Sequence, residues 1–208
     1  MKSPVIVVTG GIASGKTTVA GVMAARGGAL VDCDALAHAA LARTAVKRQL
    51  VRSFGRSVLT RAGNVSRAKL RAAVFSSDER MRALNEIVRP HVTRIINDEV
   101  RRLRAVVPYI VLDAVLFFHY TFRFKVALTV VTEAPKTIRI GRLMRRNGLS
   151  RDEALERIEH QHYLERDWAR ADHTIGTAVA RCTVERIAAD IRDGFLARHG
   201  IAGGFNNG

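Results

Sequence analysis

Cysteine is nearly absent from this chain of 208 residues: Cys33 and Cys182 are the only two. That excludes a disulfide framework and a cysteine-built zinc site, and it fits a reducing compartment. Aromatic residues make up 6%, with a single Trp, and do not alternate with basic ones, so no platform for stacking nucleic-acid bases is expected. No apolar run approaches the roughly 18 residues of a membrane span. Met1-Lys2-Ser3-Pro4 leads almost at once into an apolar run, which leaves no room for a signal or transit peptide, and a cytoplasmic protein is expected. The seven histidines show no metal-ligand spacing. Acidic residues are also few, 19 against 34 Lys and Arg, for a formal net charge of +15 and a pI of about 11.2. Such a balance raises nucleic acid as a partner. The basic residues are mostly Arg, however, scattered through helical stretches without a basic tail. A small polyanionic substrate is the favoured partner and nucleic acid the minor one. The 48% hydrophobic content suffices for one α/β domain with a substantial core.

What the chain does have is Gly10-Gly11-Ile12-Ala13-Ser14-Gly15-Lys16-Thr17-Thr18, placed after the β-branched run Val5–Thr9 and before the helical Val19–Ala25. Gly10, Gly15, Lys16 and Thr17 satisfy G-x-x-x-x-G-K-[ST], the Walker A or P-loop pattern, in its strand–loop–helix setting. Glycines let the backbone approach phosphates so that successive N–H groups of Gly11, Ala13, Ser14, Gly15, Lys16, Thr17 and Thr18 can converge on an anion. The following helix adds its positive end. Lys16 brings a full charge for the β- and γ-phosphates, and the Thr17 hydroxyl is the candidate Mg²⁺ ligand. The expected ligand is a nucleoside triphosphate.

Further along, Ala29–Asp32 reads as a short buried strand with Asp34 just beyond its carboxyl end, where ligands bind in open parallel sheets. Asp34 is equally suited to capping the helix that follows. Thr44–Phe54 is a helix stopped by Gly55, Thr60–Asn64 a turn, and Ser66 the cap of a short helix Arg67–Phe75. Ser76-x-x-Glu79 reads as a capping box for a long amphipathic run through Leu103, with Pro90 expected to kink or divide it. Residues 60–107 thus form a strandless helical insertion. Pro108–Asp113 is a third strand ending in a carboxylate on the metal or water side. Val126–Thr132 is a fourth. Pro135–Asn147 is a helix with Arg142 and Arg146 four apart on one face, which local stability does not explain. They are either a solvated face or neutralise a migrating phosphoryl group. Ser150-x-x-Glu153 opens a helix expected to run through Trp168, Asp172–Ile175 is a fifth short strand, and Val184–Arg198 closes the domain before a Gly- and Asn-rich tail, 201–208, expected to be disordered.

Several stretches together resemble the dephospho-CoA kinase family: Thr9–Lys16, Val31-Asp32-Cys33-Asp34, Phe54-Gly55, Ser66-Arg67-x-x-Leu70 with Val74-Phe75, Leu84-Asn85 before Pro90, Arg142–Ser150, Arg157-Ile158-x-x-Gln161 and Ala171-Asp172-x-x-Ile175. The resemblance implies a P-loop NTPase fold: a five-stranded parallel sheet with helices on both faces, a helical substrate-binding insertion (60–107) and a helical lid (135–169) in a single kinase domain, 1–200. It implies an ATP phosphotransferase using Mg²⁺, acting on the ribose 3′-hydroxyl of dephospho-CoA as a monomer or weak homo-oligomer. By the same resemblance Lys16, Asp34 and Arg142 are catalytic, with Asp34 accepting the hydroxyl proton. Arg142 and Arg146 close over the ATP phosphates. Asp34, Arg67 and Asp113 serve the acceptor. The chain departs from the family's pattern at Arg89 before Pro90, at Val115 and His119 after Asp113, at Asn147, and at Gly176-Thr177-Ala178, where an Asn is usual.

Overall fold

A computed structural model of the chain describes residues 3–74 and 77–201. Met1-Lys2, Phe75, Ser76 of the expected capping box, and tail residues 202–208 lie outside them. The described residues form two compact units, one of 3–32, 100–119 and 123–201, the other of 33–74, 77–99 and 120–122.

The first unit is built on five parallel strands in the order β2-β3-β1-β4-β5: β1 Val5–Gly10, β2 Ala29–Asp32, β3 Ile110–Asp113, β4 Leu128–Glu133 and β5 His173–Gly176. β1 is buried at every position. This is the continuous β-branched run that a central parallel strand covered on both faces requires. Its registers, Val8 with Asp113 of β3 and Gly10 with Thr132 of β4, put the carboxyl ends of β1, β3 and β4 on one edge of the sheet, β3 ending two residues short of β1. Helices α1 (Lys16–Ala24) and α8 (Arg181–Arg198) share one core with the sheet through Val19, Met23, Val184, Phe195 and Leu196 against Ile6, Val8, Val111 and Val130. Tyr109 lies in this core against Gly28, where no Cβ could fit, and its hydroxyl donates to Ala25 O. Burial pushes that phenol's pKa up.

A smaller core joins α6 (Lys136–Asn147) to α7 (Arg151–Glu159) through Ile140, Leu143, Ala154 and Ile158. Between them Gly148, at φ 64°, supplies the left-handed residue that ends α6. The Ser150–Glu153 box then forms in both directions: the Glu153 N–H donates to Ser150 Oγ, and the Ser150 N–H donates to Glu153 Oε2 at 2.8 Å. α7 stops at Glu159, instead of continuing through Trp168, and a 3₁₀ stretch His162–Arg170 follows. The interruption turns Gln161 onto the glycine-rich loop, where its Oε1 accepts the Ile12 N–H at 2.8 Å.

The second unit is helical: α2 Cys33–Leu41, α3 Thr44–Phe54, α4 Arg67–Val74, and α5 Asp78–Leu103 as far as Glu99. It begins at Cys33, not near residue 60. The reason is that Val46 and Leu50 of α3 are buried in the same core as Val58, Leu70 and Val74. α5 is one element of 26 residues, so Pro90 does not divide it. The α5 entry is capped by Ser77, whose Oγ accepts from the N–H groups of Glu79 and Arg80 at 3.2 and 3.4 Å.

Candidate active site

The loop between β1 and α1 holds a shape that few sequences tolerate. Gly10 (φ 137°), Ala13 (φ 59°) and Gly15 (φ 94°) all take positive φ. A Cβ on Gly10 would overlap the Thr132 carbonyl oxygen and stand 2.6 Å from Thr132 Oγ1. Ala13 carries its side chain in the left-handed region at a cost of about 1–2 kcal/mol, which persists only because neighbours fix it.

Those neighbours come from far along the chain. Arg139 Nε donates to Ile12 O at 2.9 Å, Arg142 Nη1 to Ala13 O at 3.0 Å, and the Thr177 hydroxyl to Ser14 O at 2.7 Å. The Ser14 side chain is itself held against Thr132 Oγ1 at 2.6 Å. In a trans peptide the carbonyl and the next N–H point in opposite directions. Tying the Ile12 and Ser14 carbonyls outward therefore turns the Ala13 and Gly15 N–H groups inward, as an anion nest needs. α1 has no side-chain bond at its N-cap, so no capping side chain competes with an anion for the helix's positive end.

Lys16 Nζ donates to Gly11 O at 3.2 Å, within the loop. Thr17 Oγ1 donates to Asp113 Oδ2 at 3.0 Å. This pair of hard oxygens at the strand ends suits Mg²⁺, which keeps several waters and takes only one or two protein ligands. Among the described residues no group of three or more His, Cys, Asp or Glu side chains could hold a metal by itself. The loop and its oxygen pair thus fit a triphosphate and its Mg²⁺.

Beside the loop lies a cavity of about 450 Å³, lined by Ala13, Gly15, Thr18, Arg142, Arg145, Arg146, Thr177, Val179, Arg181 and Val184. Arg142 and Arg146 both reach it from α6, as their four-residue spacing predicts. Arg142 is anchored at its rim by Ala13 O and by both Thr177 oxygens. Arg146 Nε donates to Asn147 Oδ1 at 3.1 Å.

Of the residues singled out from the sequence, Gly11, Ala13, Ser14, Gly15, Lys16, Thr17, Thr18, Asp113, Arg142 and Arg146 come together in the first unit. Asp34 and Arg67 belong to the second. Asp34 stands in the first turn of α2, which begins at Cys33, so it is not that helix's N-cap. β2 ends at Asp32, in register with Asp113, two residues before Asp34. His119, where the family pattern has Glu, lies 3.6 Å from Asp167 and edge-on to Tyr163. Of the bracing residues, Gln161 falls in the Arg157-Ile158-x-x-Gln161 stretch and Thr177 where the family pattern usually has Asn, but neither signal points to the loop, and Thr132 and Arg139 carry no motif. The position of Thr132, at the carboxyl end of β4, is the cue that could have pointed to it.

Known proteins agree with this geometry over most of the chain. The model of the family described as dephospho-CoA kinase matches residues 4–179. This chain belongs to the dephospho-CoA kinase family. It is 38% identical over 174 residues to the dephospho-CoA kinase of Carboxydothermus hydrogenoformans, covering 83% of this chain and 84% of that one. It is also 37% identical over 196 residues to the dephospho-CoA kinase of Anaeromyxobacter dehalogenans, covering 91% and 93%. In three dimensions it is similar to TT1252 from Thermus thermophilus, with a TM-score of 0.75, 32% identity and 98% and 100% coverage. A gluconokinase from Sinorhizobium meliloti, at TM-score 0.55, 15% identity and coverage of 95% and 96%, shares the fold. The family's P-loop kinase architecture is that of the five-stranded parallel sheet described above.

Proposed function

We propose that this protein transfers the γ-phosphoryl group of ATP to the ribose 3′-hydroxyl of dephospho-CoA, giving coenzyme A and ADP. The observation that supports the reading is the glycine-rich loop before α1, with Lys16 folded onto Gly11 O and the Thr17 hydroxyl on Asp113, in a chain whose family model spans residues 4–179. The inward N–H groups of Ala13 and Gly15 and the N-terminus of α1 hold the ATP phosphates. Lys16 neutralises charge on the β- and γ-phosphates. Thr17 and Asp113 would hold Mg²⁺, which supplies charge neutralisation between those phosphates. Arg142 and Arg146 meet the negative charge on the phosphoryl oxygens as it moves between donor and acceptor, and exclude water from it.

Asp34 takes the proton of the acceptor hydroxyl as its oxygen bonds to phosphorus. The bond from phosphorus to the β-phosphate oxygen breaks, and its electron pair leaves with ADP. Arg67 pairs with the acceptor's pyrophosphate. The basic excess serves these polyanionic substrates, and the protein works in the cytoplasm as a monomer or weak homo-oligomer. No helix among the described residues is long and apolar enough to cross a membrane.

The test is an acceptor assay. Protein, Mg-ATP and dephospho-CoA should yield ADP and coenzyme A in equal amounts. ADP at only the acceptor-free rate, or preference for another nucleoside, removes the proposal.

A further inference from the structure

Thr177 stands just beyond β5 and is only 3% exposed. We infer that Thr177 is the positioning residue that ties Arg142 to the phosphate loop, so that loop shape and arginine placement are set together. This rests on the ATP-handling role proposed above.

The direction of each hydrogen bond follows from elementary chemistry. The Ser14 carbonyl oxygen can only accept, so the Thr177 hydroxyl donates to it at 2.7 Å. A guanidinium can only donate, so the same hydroxyl accepts from Arg142 Nη1 at 2.9 Å. The Thr177 carbonyl accepts from Arg142 Nη2, and Arg142 Nη1 donates in addition to Ala13 O at 3.0 Å. Thr177's own N–H donates to Glu133 O at 2.7 Å, fixing the residue to the end of β4. Its methyl group faces Gly15: a Cβ built there would stand 3.3 Å from Cγ2.

One buried hydroxyl therefore uses its donor on the loop and an acceptor site on the arginine. Neither partner can take the other's role. Without the hydroxyl, the Ser14 carbonyl loses the tie that turns the Gly15 N–H inward, and Arg142 keeps only backbone acceptors. Valine matches threonine in shape and removes only the hydroxyl, so Thr177→Val isolates this function, while Thr177→Ser keeps the hydroxyl and loses the methyl.

The test measures three things on the full chain: ADP affinity by calorimetry without acceptor, hydrogen exchange of the amides of residues 10–18, and steady-state kinetics with dephospho-CoA. Thr177→Val should speed exchange in the loop and weaken ADP binding about tenfold, the effect of losing a charge-assisted hydrogen bond. Its kcat should fall more than its KM for the acceptor changes. Thr177→Ser should recover most of both. In a double-mutant cycle with Arg142→Lys, whose ammonium lacks the two separate nitrogens by which Arg142 reaches Ala13 and both Thr177 oxygens, the losses should be far from additive. The same cycle with Thr177→Ala, which also removes the hydroxyl, keeps the test open should the valine variant not fold. Wild-type ADP affinity and loop exchange in Thr177→Val, equal damage in Thr177→Ser, or additive losses would each overturn the inference. If the wild type does not phosphorylate dephospho-CoA, the proposed function fails, while ADP affinity and loop exchange still judge Thr177.

Discussion

Gly11 lies directly against the guanidinium of Arg139: a Cβ at Gly11 would overlap Nη2 and stand 2.8 Å from Cζ. Arg139 is 4% exposed, and it is held by Ile12 O on one side and by Glu165 Oε1, at 3.0 Å, on the other. Its end therefore cannot swing aside as a surface arginine would. Gly11→Ala should cost about 1–3 kcal/mol of stability as an overpacked site. It should weaken ADP binding as well, because the displaced arginine releases the Ile12 carbonyl. Thermal unfolding and ADP calorimetry check this. A substitution without effect on either would show that the loop yields where the packing says it is fixed.

The Thr17–Asp113 bond predicts a separation between metal and nucleotide binding. Asp113→Asn keeps a polar group at the same place but removes the charge that a divalent cation needs. The Mg²⁺ concentration for half-maximal turnover should rise by about tenfold or more, given a loss of at least 1.4 kcal/mol of ion interaction. Metal-free ADP affinity should stay near wild type, because the N–H groups of the loop are untouched. Titrating Mg²⁺ at saturating ATP decides it.

How much of this was legible in the chain follows from where each signal resides. The loop from Gly10 to Thr18, the five strands and the Ser150–Glu153 box are written in adjacent residues, with local causes: glycine conformational freedom, β-branched runs and a capping side chain three residues away. The bracing of the loop is not local. Arg139, Gln161 and Thr177 reach Ile12 and Ser14 across more than a hundred residues of sequence. No spacing rule connects an arginine near the start of α6 to a carbonyl in the loop after β1. The start of the helical unit at Cys33 is hidden in the sequence for a related reason. α3 lies early in the crossover from β2 to β3 and reads as core, and only the shared burial of Leu50 with Leu70 and Val74 assigns it to the other unit. The interruption after α7 was also invisible, since the helical pattern continues through it while the tertiary contact of Gln161 breaks it.

The capping box of α7 predicts a pH dependence. The Ser150 backbone N–H, and then its hydroxyl, hold the Glu153 carboxyl below its ordinary value of 4.5. A carboxylate whose pKa is lower folded than unfolded adds stability above the unfolded value, and that stability is lost as pH falls through the folded value. The contribution is therefore full at pH 7 and disappears below about pH 4.5, the unfolded value. Glu153→Gln should lower the Tm at neutral pH, and the gap to wild type should close as the pH is taken into the acid range. A gap independent of pH would mean that the carboxylate charge plays no part in the cap.

Asp34 offers the sharpest test of the chemistry. It sits in the first turn of α2, immediately after the strand whose last residue is in register with Asp113, and it is not the N-cap of its helix. A purely structural aspartate there would act on stability, the helix dipole contributing about 0.3–1 kcal/mol. As a general base it contributes about 10²–10⁴-fold to turnover. Asp34→Asn separates the two, because asparagine has nearly the same shape but cannot accept the hydroxyl proton. The expected result is a Tm within a few degrees of wild type, ADP affinity nearly unchanged, and kcat with dephospho-CoA reduced by at least about 10²-fold. A variant that keeps its turnover while losing stability would leave Asp34 a structural residue, and the base for the 3′-hydroxyl would have to be sought elsewhere in the chain.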